Sequence, residues 1–104
     1  MKKLTLLCAV TLTFAMAHVT LAAPSAAALA FEANCAECHA GGKNVVNPAK
    51  DLRGPTLKAN GVRTAQDIVA KMRNPGPGMT KFDTKELPDE EALAIAEYIL
   101  ATFK

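Results

Sequence analysis

Cys35-Ala36-Glu37-Cys38-His39 is the stretch whose reading decides the rest of this chain. Two residues between the thiols let both sulfurs add to the two vinyl groups of one porphyrin, and a histidine directly after the second sets its ring nitrogen at the iron. Two other chemistries use the same pair of thiols. A thioredoxin-like redox couple sits beside a βαβ pattern, which this chain lacks. A four-ligand zinc site needs more Cys or His than the chain supplies beyond its N-terminal segment. Covalent attachment of one haem c through Cys35 and Cys38, with His39 on the iron, is therefore the expected chemistry.

The N-terminus leads to the same compartment. Met1-Lys2-Lys3, the uncharged apolar run from Leu4 to Ala17 and the alanine-rich segment after it have the three-part layout of a secretory signal. The run is shorter than the roughly 20 residues a spanning helix needs, although Val19 to Ala23 extend it, so cleavage is preferred over an uncleaved anchor. Cuts after Ala17, Ala22, Ala23 and Ala30 are all compatible with the small-residue rule. A cut after Ala30 leaves no room for a helix ahead of Cys35, which favours Ala22 or Ala23. Residues 1–22 are then the signal, and 23–104 a single small domain. Cys8 leaves with the signal. Export and haem attachment agree, because these thioethers are made outside the bacterial inner membrane, where free thiols otherwise oxidise.

Processing also removes Lys2 and Lys3, so the precursor's 12 Lys/Arg and 10 Asp/Glu become balanced. The precursor's net charge of +2 is no argument for nucleic acid or an anionic membrane. There is no basic stripe and no internal repeat. A single tyrosine, Tyr98, and no tryptophan give the domain a thin core of its own, which a flat apolar macrocycle would complete.

Periodicity and punctuation predict an all-α fold. Ser25 caps a helix from Ala26 to Asn34 that delivers the chain to Cys35, with Phe31 on the same face and expected near the haem edge. Gly41-Gly42 stop any helix after His39. Residues 43–54 read as loop with one helical turn, and a short helix lies between Pro55 and Asn60-Gly61. Thr64 caps a helix over 65–73 whose Ala65, Ile68, Val69 and Met72 make one stripe. Asn74-Pro75-Gly76-Pro77-Gly78 ends it, so Met79 is presented from a loop. Pro88 is expected in the first turn of the last helix, with Asp89, Glu90 and Glu91 at the positive end of its dipole and a broad apolar face from Leu93 to Phe103.

The sixth iron position decides what such a protein does. His18 lies in the segment expected to be removed, which leaves Met72 and Met79 as sulfur donors. Met72 sits on the apolar stripe and reads as a core residue. Met79, 40 positions after His39, lies in a stiff Pro/Gly loop able to approach a flat ligand, which suits a weak thioether bond. Met79 is preferred, with Lys71, Lys81 or an open position as alternatives. His39 is expected to donate its other ring N–H to a backbone carbonyl from the loop between Asn47 and Pro55.

Phe31-x-x-x-Cys35-x-x-Cys38-His39-Ala40-Gly41-Gly42, then Ala59-Asn60-Gly61, the loop methionine Met79, Leu87-x-Asp89-Glu90-Glu91 and Ala96-Glu97-Tyr98-Ile99 resemble the class I cytochromes c, most of all the cytochrome c6 type. The resemblance covers nearly all of residues 23–104. It implies a cytochrome c fold of four to five short helices wrapped around one covalently bound haem, the first and last helices crossing. It further implies His39 and Met79 as axial ligands and a one-electron carrier in the periplasm or, in a photosynthetic cell, the thylakoid lumen. Two positions depart from the family pattern: Thr80 stands where proline often follows the methionine, and Lys71 where a glutamine lies near the haem. The partners implied are redox proteins such as a membrane cytochrome complex, a photosystem, a terminal oxidase or a reductase. They would be met by a monomer with no nucleic-acid binding and no stable membrane insertion after cleavage. Lys43, Lys50, Arg53, Lys58, Lys71 and Lys81 are candidates for a small transient docking patch, although such charges more often mark a solvated surface. The contrasting function is a small haem peroxidase or gas-binding haem sensor with an open or displaceable sixth position; no distal histidine survives processing to support it.

Overall fold

The computed structural model describes residues 15–18 and 22–104, and these contain helices and turns with no strand. Most of the expected signal, Cys8 included, lies outside the described residues, while residues 15–18, Ala22 and Ala23 are exposed coil. No helix among the described residues is long and apolar enough to cross a membrane.

Helix α1 spans Ala26–Asn34, and the Ser25 hydroxyl accepts from the Ala28 N–H, satisfying one of the donors that a helix start leaves free. The chain leaves α1 through Cys35 and makes one further turn, α2 (Ala36–His39), followed by a 3₁₀ turn over Ala40–Gly42. Gly41 (φ 64°) and Gly42 (φ 77°) take the left-handed conformation that ends helices, as their position after His39 predicts. A loop with a single 3₁₀ turn at Pro48–Lys50 leads to α3 (Gly54–Ala59), with Pro55 in its first turn and Gly61 beyond its C-cap. Helix α4 (Ala65–Arg73) starts in a full capping box. Thr64 Oγ1 accepts from the Asp67 N–H at 3.1 Å, and Asp67 Oδ2 accepts from the Thr64 N–H at 3.0 Å. Helix α5 is Asp89–Thr102. Pro88 lies one position earlier than expected, at the N-cap rather than in the first turn, with its carbonyl accepting from Ala92. That site also needs no N–H, so the proline's chemistry is unchanged.

Helix α5 holds the fold together by packing against both α1 and α4. Ala92, Ile95, Ala96 and Ile99 are its buried residues; they are spaced at three and four, and two alanines let the neighbouring helices come close. Ala65, Ile68 and Met72 of α4 meet this face, with Val69 only half-buried. Between α1 and α5 lies an aromatic trio. Phe31 stands 5.5 Å from Tyr98 and 5.4 Å from Phe103, centroid to centroid, in tilted geometries that suit the ring quadrupoles. Phe31 is 1% exposed within this trio and lines no part of the cavity described below, which corrects the expectation that it packs at the haem edge. The ring turns instead toward the helix crossing, where two other aromatic rings are available.

Candidate haem site

The two cysteines and the histidine owe their placement to the end of α1. The Cys35 N–H donates to Phe31 O at 2.8 Å, and the Cys38 and His39 N–H groups both donate to Cys35 O. One tight turn therefore carries all three side chains, and all three border a single cavity of about 500 Å³. That volume is in the range of sites that take a small organic ligand. The floor is apolar, drawn from α3, α4 and α5 through residues such as Leu57, Ile68, Met72 and Ile99. Pro75, Gly76, Pro77, Gly78 and Met79 border the same cavity. The fold thus brings Met79 to the same cavity as Cys35, Cys38 and His39, across 40 positions of sequence.

His39 is oriented by its backbone. Its Nδ1 lies 2.8 Å from the Lys43 carbonyl oxygen, so Nδ1 carries the hydrogen as donor and Nε2 is left as the free lone pair. The acceptor comes from four residues downstream and not from the loop between Asn47 and Pro55, because Gly41 and Gly42 turn the chain straight back over the ring. Asn44 then fixes the loop. Its Oδ1 accepts from the Val46 and Asn47 N–H groups, and its Nδ2 donates to Lys50 O. Neither Lys43 nor Asn44 carries a sequence signal beyond the general one for a loop, since what matters is a carbonyl in one case and a turn in the other.

Met72 and Met79 both border the cavity, from different supports. Met72 is 4% exposed on α4 and belongs to the core, as its place on the stripe predicts. Met79 is 37% exposed on the Pro/Gly loop, with its N–H 3.5 Å from Gly76 O. At that loop's edge, Gly78 (φ 86°) faces Val46, and a Cβ there would come within 2.9 Å of the Val46 side chain. Lys50 and Lys71 are cationic members of the lining, whereas His18 is exposed and takes no part in it.

The alternatives for the thiols fare poorly here. Burial pushes the Cys35 thiol up to about 11, the opposite of the lowered value that a redox-active cysteine needs. Among the described residues no group of three or more His, Cys, Asp or Glu is placed to hold a metal ion by itself. A haem fits the donor set. Two sulfurs stand one turn apart, an imidazole is held through Nδ1 with Nε2 left over, a thioether borders the same cavity, and apolar side chains supply much of the lining.

Comparison with known proteins agrees with this geometry. Residues 22–99 match the family described as cytochrome C oxidase, cbb3-type, subunit III. Cytochrome c6 of Nostoc sp. is 40% identical over 89 residues, covering 85% of this chain and 79% of the relative. Cytochrome c6 of Rippkaea orientalis is 44% identical over 71 residues, 68% of this chain, and the match spans 63% of that protein's length. Among solved structures, the outer membrane cytochrome OmcF of Geobacter sulfurreducens superimposes with a TM-score of 0.73 at 44% identity, over 75% of this chain and 99% of OmcF. A motif for two thioethers and one imidazole, an all-helical frame around an apolar cavity, and these similarities lead to one assignment: the chain belongs to the class I cytochrome c family, whose members carry one covalently bound c-type haem, with cytochromes c6 among its relatives.

Proposed function

We propose that this protein is an exported one-electron carrier. Cys35 and Cys38 would hold a haem through two thioether links, and His39 Nε2 and Met79 Sδ would bind its iron. The observation that carries the reading is the convergence of these four side chains on one cavity, with the His39 ring already held by Lys43 O. The haem supplies a ferrous/ferric couple. The chain's part is to keep both ligands in place in the two oxidation states, so that little rearrangement accompanies electron transfer. Thioether ligation by Met79 raises the potential relative to a second imidazole. The apolar lining from α3, α4 and α5 excludes water and acts in the same direction. Residues 1–22 are a signal removed after Ala22 or Ala23, which delivers residues 23–104 to the periplasm or the lumen. Redox partners meet the cavity mouth, where Val46 is largely exposed and Lys50 and Lys71 contribute positive charge. A short-lived complex of this kind needs only a small interface.

The test is export through a haem-attaching host, followed by spectroscopy and mass spectrometry. The mature protein is expected to gain the mass of one haem and to begin at Ala23 or Pro24. It should show low-spin iron, the weak near-infrared sulfur-to-iron band when oxidised, and no rapid carbon monoxide binding when reduced. Met79→Ala should abolish the band and admit carbon monoxide. A variant that keeps the band refutes the Met79 assignment, and a wild-type protein that binds carbon monoxide at once favours a gas-binding or peroxidatic haem.

A further inference from the structure

The segment between α4 and α5 holds itself together weakly. From residue 74 to residue 82, the one backbone hydrogen bond between loop residues is the long Met79 N–H to Gly76 O contact of 3.5 Å. Its two ends, however, are tied to each other. The Phe82 N–H donates to Met72 O at 2.9 Å, closing the loop at its base. Beside this bond, Arg73 Nη1 donates to Phe82 O and to Asp83 O, both at 3.1 Å, and Nη2 donates to Asp89 Oδ1 at 2.7 Å. One guanidinium, itself only one-fifth exposed, thus joins the last turn of α4, the far end of the methionine loop and the first turn of α5. The guanidinium spreads its donors over a planar fork that reaches acceptors on separate segments, whereas a lysine ammonium presents its three donors from one nitrogen.

We infer that Arg73 is a positioning residue for Met79, closing the loop so that the thioether is held over the cavity. The inference rests on Met79 being the sixth ligand. An iron–thioether bond is weak, so the fraction of molecules with Met79 dissociated depends on how freely the loop can swing. The prolines at 75 and 77 stiffen the near half of the loop. In the far half, residues 79–83, Arg73 supplies two of the ties. The Asp89 arm adds less, since that carboxylate is 80% exposed and competes with water.

The readout is imidazole binding to the oxidised holoprotein, because an added ligand reaches the iron only when Met79 has left, and its apparent affinity scales with that open fraction. Losing hydrogen bonds from a charged donor should raise the open fraction about tenfold or more, so Arg73→Ala binds imidazole correspondingly more tightly. The near-infrared band should also fade on warming well before the helices melt. Arg73→Lys keeps the charge but not the fork and should fall between Ala and wild type, while Asp89→Asn changes imidazole affinity less than Arg73→Ala. If Arg73→Ala does not mature, Arg73→Lys and Arg73→Gln decide: tighter imidazole binding in both supports the inference, and wild-type affinity in both overturns it. A lowered urea midpoint with unchanged imidazole affinity also overturns it, leaving Arg73 a merely structural brace. Met79→Ala separates this from the underlying reading: if its band persists, the ligand assignment itself fails, whereas a lost band with an unaffected Arg73→Ala overturns only the role of Arg73.

Discussion

Gly41 and Gly42 sit side by side after His39, both with positive φ, and replacing each by alanine separates backbone strain from crowding. At Gly41 a Cβ meets nothing within 4 Å. At Gly42 it falls 2.7 Å from Cδ1 and Cγ of Phe103 and 3.1 Å from its Cβ. Left-handed backbone costs an L-residue roughly 1–2 kcal/mol, partly offset by the stiffer unfolded chain, so Gly41→Ala should destabilise by about 1 kcal/mol. Gly42→Ala carries the same strain plus the displacement of a ring packed against Phe31, and overpacking of that kind adds roughly 1–3 kcal/mol. The ring has little freedom, because Phe103 O accepts from the Gly54 N–H while Gly42 O accepts from Leu52 at 2.7 Å, pinning both sides of the contact. Urea unfolding of the holoprotein, followed by far-ultraviolet circular dichroism, reads the difference. With a slope of about 1.5 kcal/mol per M, the Gly42→Ala midpoint should lie roughly 0.7–2 M below that of Gly41→Ala. Adding Phe103→Leu should recover part of this gap and none of the Gly41→Ala loss. Equal midpoints for the two alanine variants would refute the contact between the haem-motif turn and the C-terminal ring.

Further outcomes follow from the same packing and capping. Ile95, fully enclosed where α5 meets its neighbours, should cost about 2–5 kcal/mol as Ile95→Ala in the same urea assay, since a close-packed interior collapses only partly around the void. Ser25→Ala removes the one side-chain cap of α1 and should cost about 1 kcal/mol, with Ser25→Asp retaining wild-type stability. Backbone N–H groups of Arg63 and Thr64, joined by the Thr64 hydroxyl, hold the Asp67 carboxyl below its ordinary value. Its folded-state pKa is thus lower than its unfolded one, so the support it gives to α4 is complete above the ordinary carboxylate range and is lost as pH falls through the depressed value. Acid titration of thermal stability should therefore be shallower in Asp67→Asn than in wild type, and an identical slope counts against the capping box.

Much of this molecule is legible in one dimension because the decisive interactions are local. The thiols and imidazole of Cys35, Cys38 and His39 must lie within one turn of chain to meet one porphyrin, so their chemistry is written as a spacing. Helix starts at Ser25 and Thr64 and the stop at Gly41-Gly42 are likewise set by groups within three or four residues of each other. Tertiary contacts decided the rest. The Phe31 ring joined the trio with Tyr98 and Phe103, whose positions relative to α1 no pattern within α1 encodes. Lys43 reached His39 through its carbonyl, a group every residue owns and no side chain announces. Arg73 found its acceptors 9, 10 and 16 positions away, which required α5 to be packed and the methionine loop to be closed. Spacing determined which thiols and which imidazole can attach a haem, because that part of the chemistry is satisfied within a single turn, whereas Met79 reaches the same cavity only through the fold. Only the folded chain determined which backbone carbonyl orients the imidazole and which acceptors the Arg73 guanidinium ties together, because such contacts exist only once separate segments are brought together.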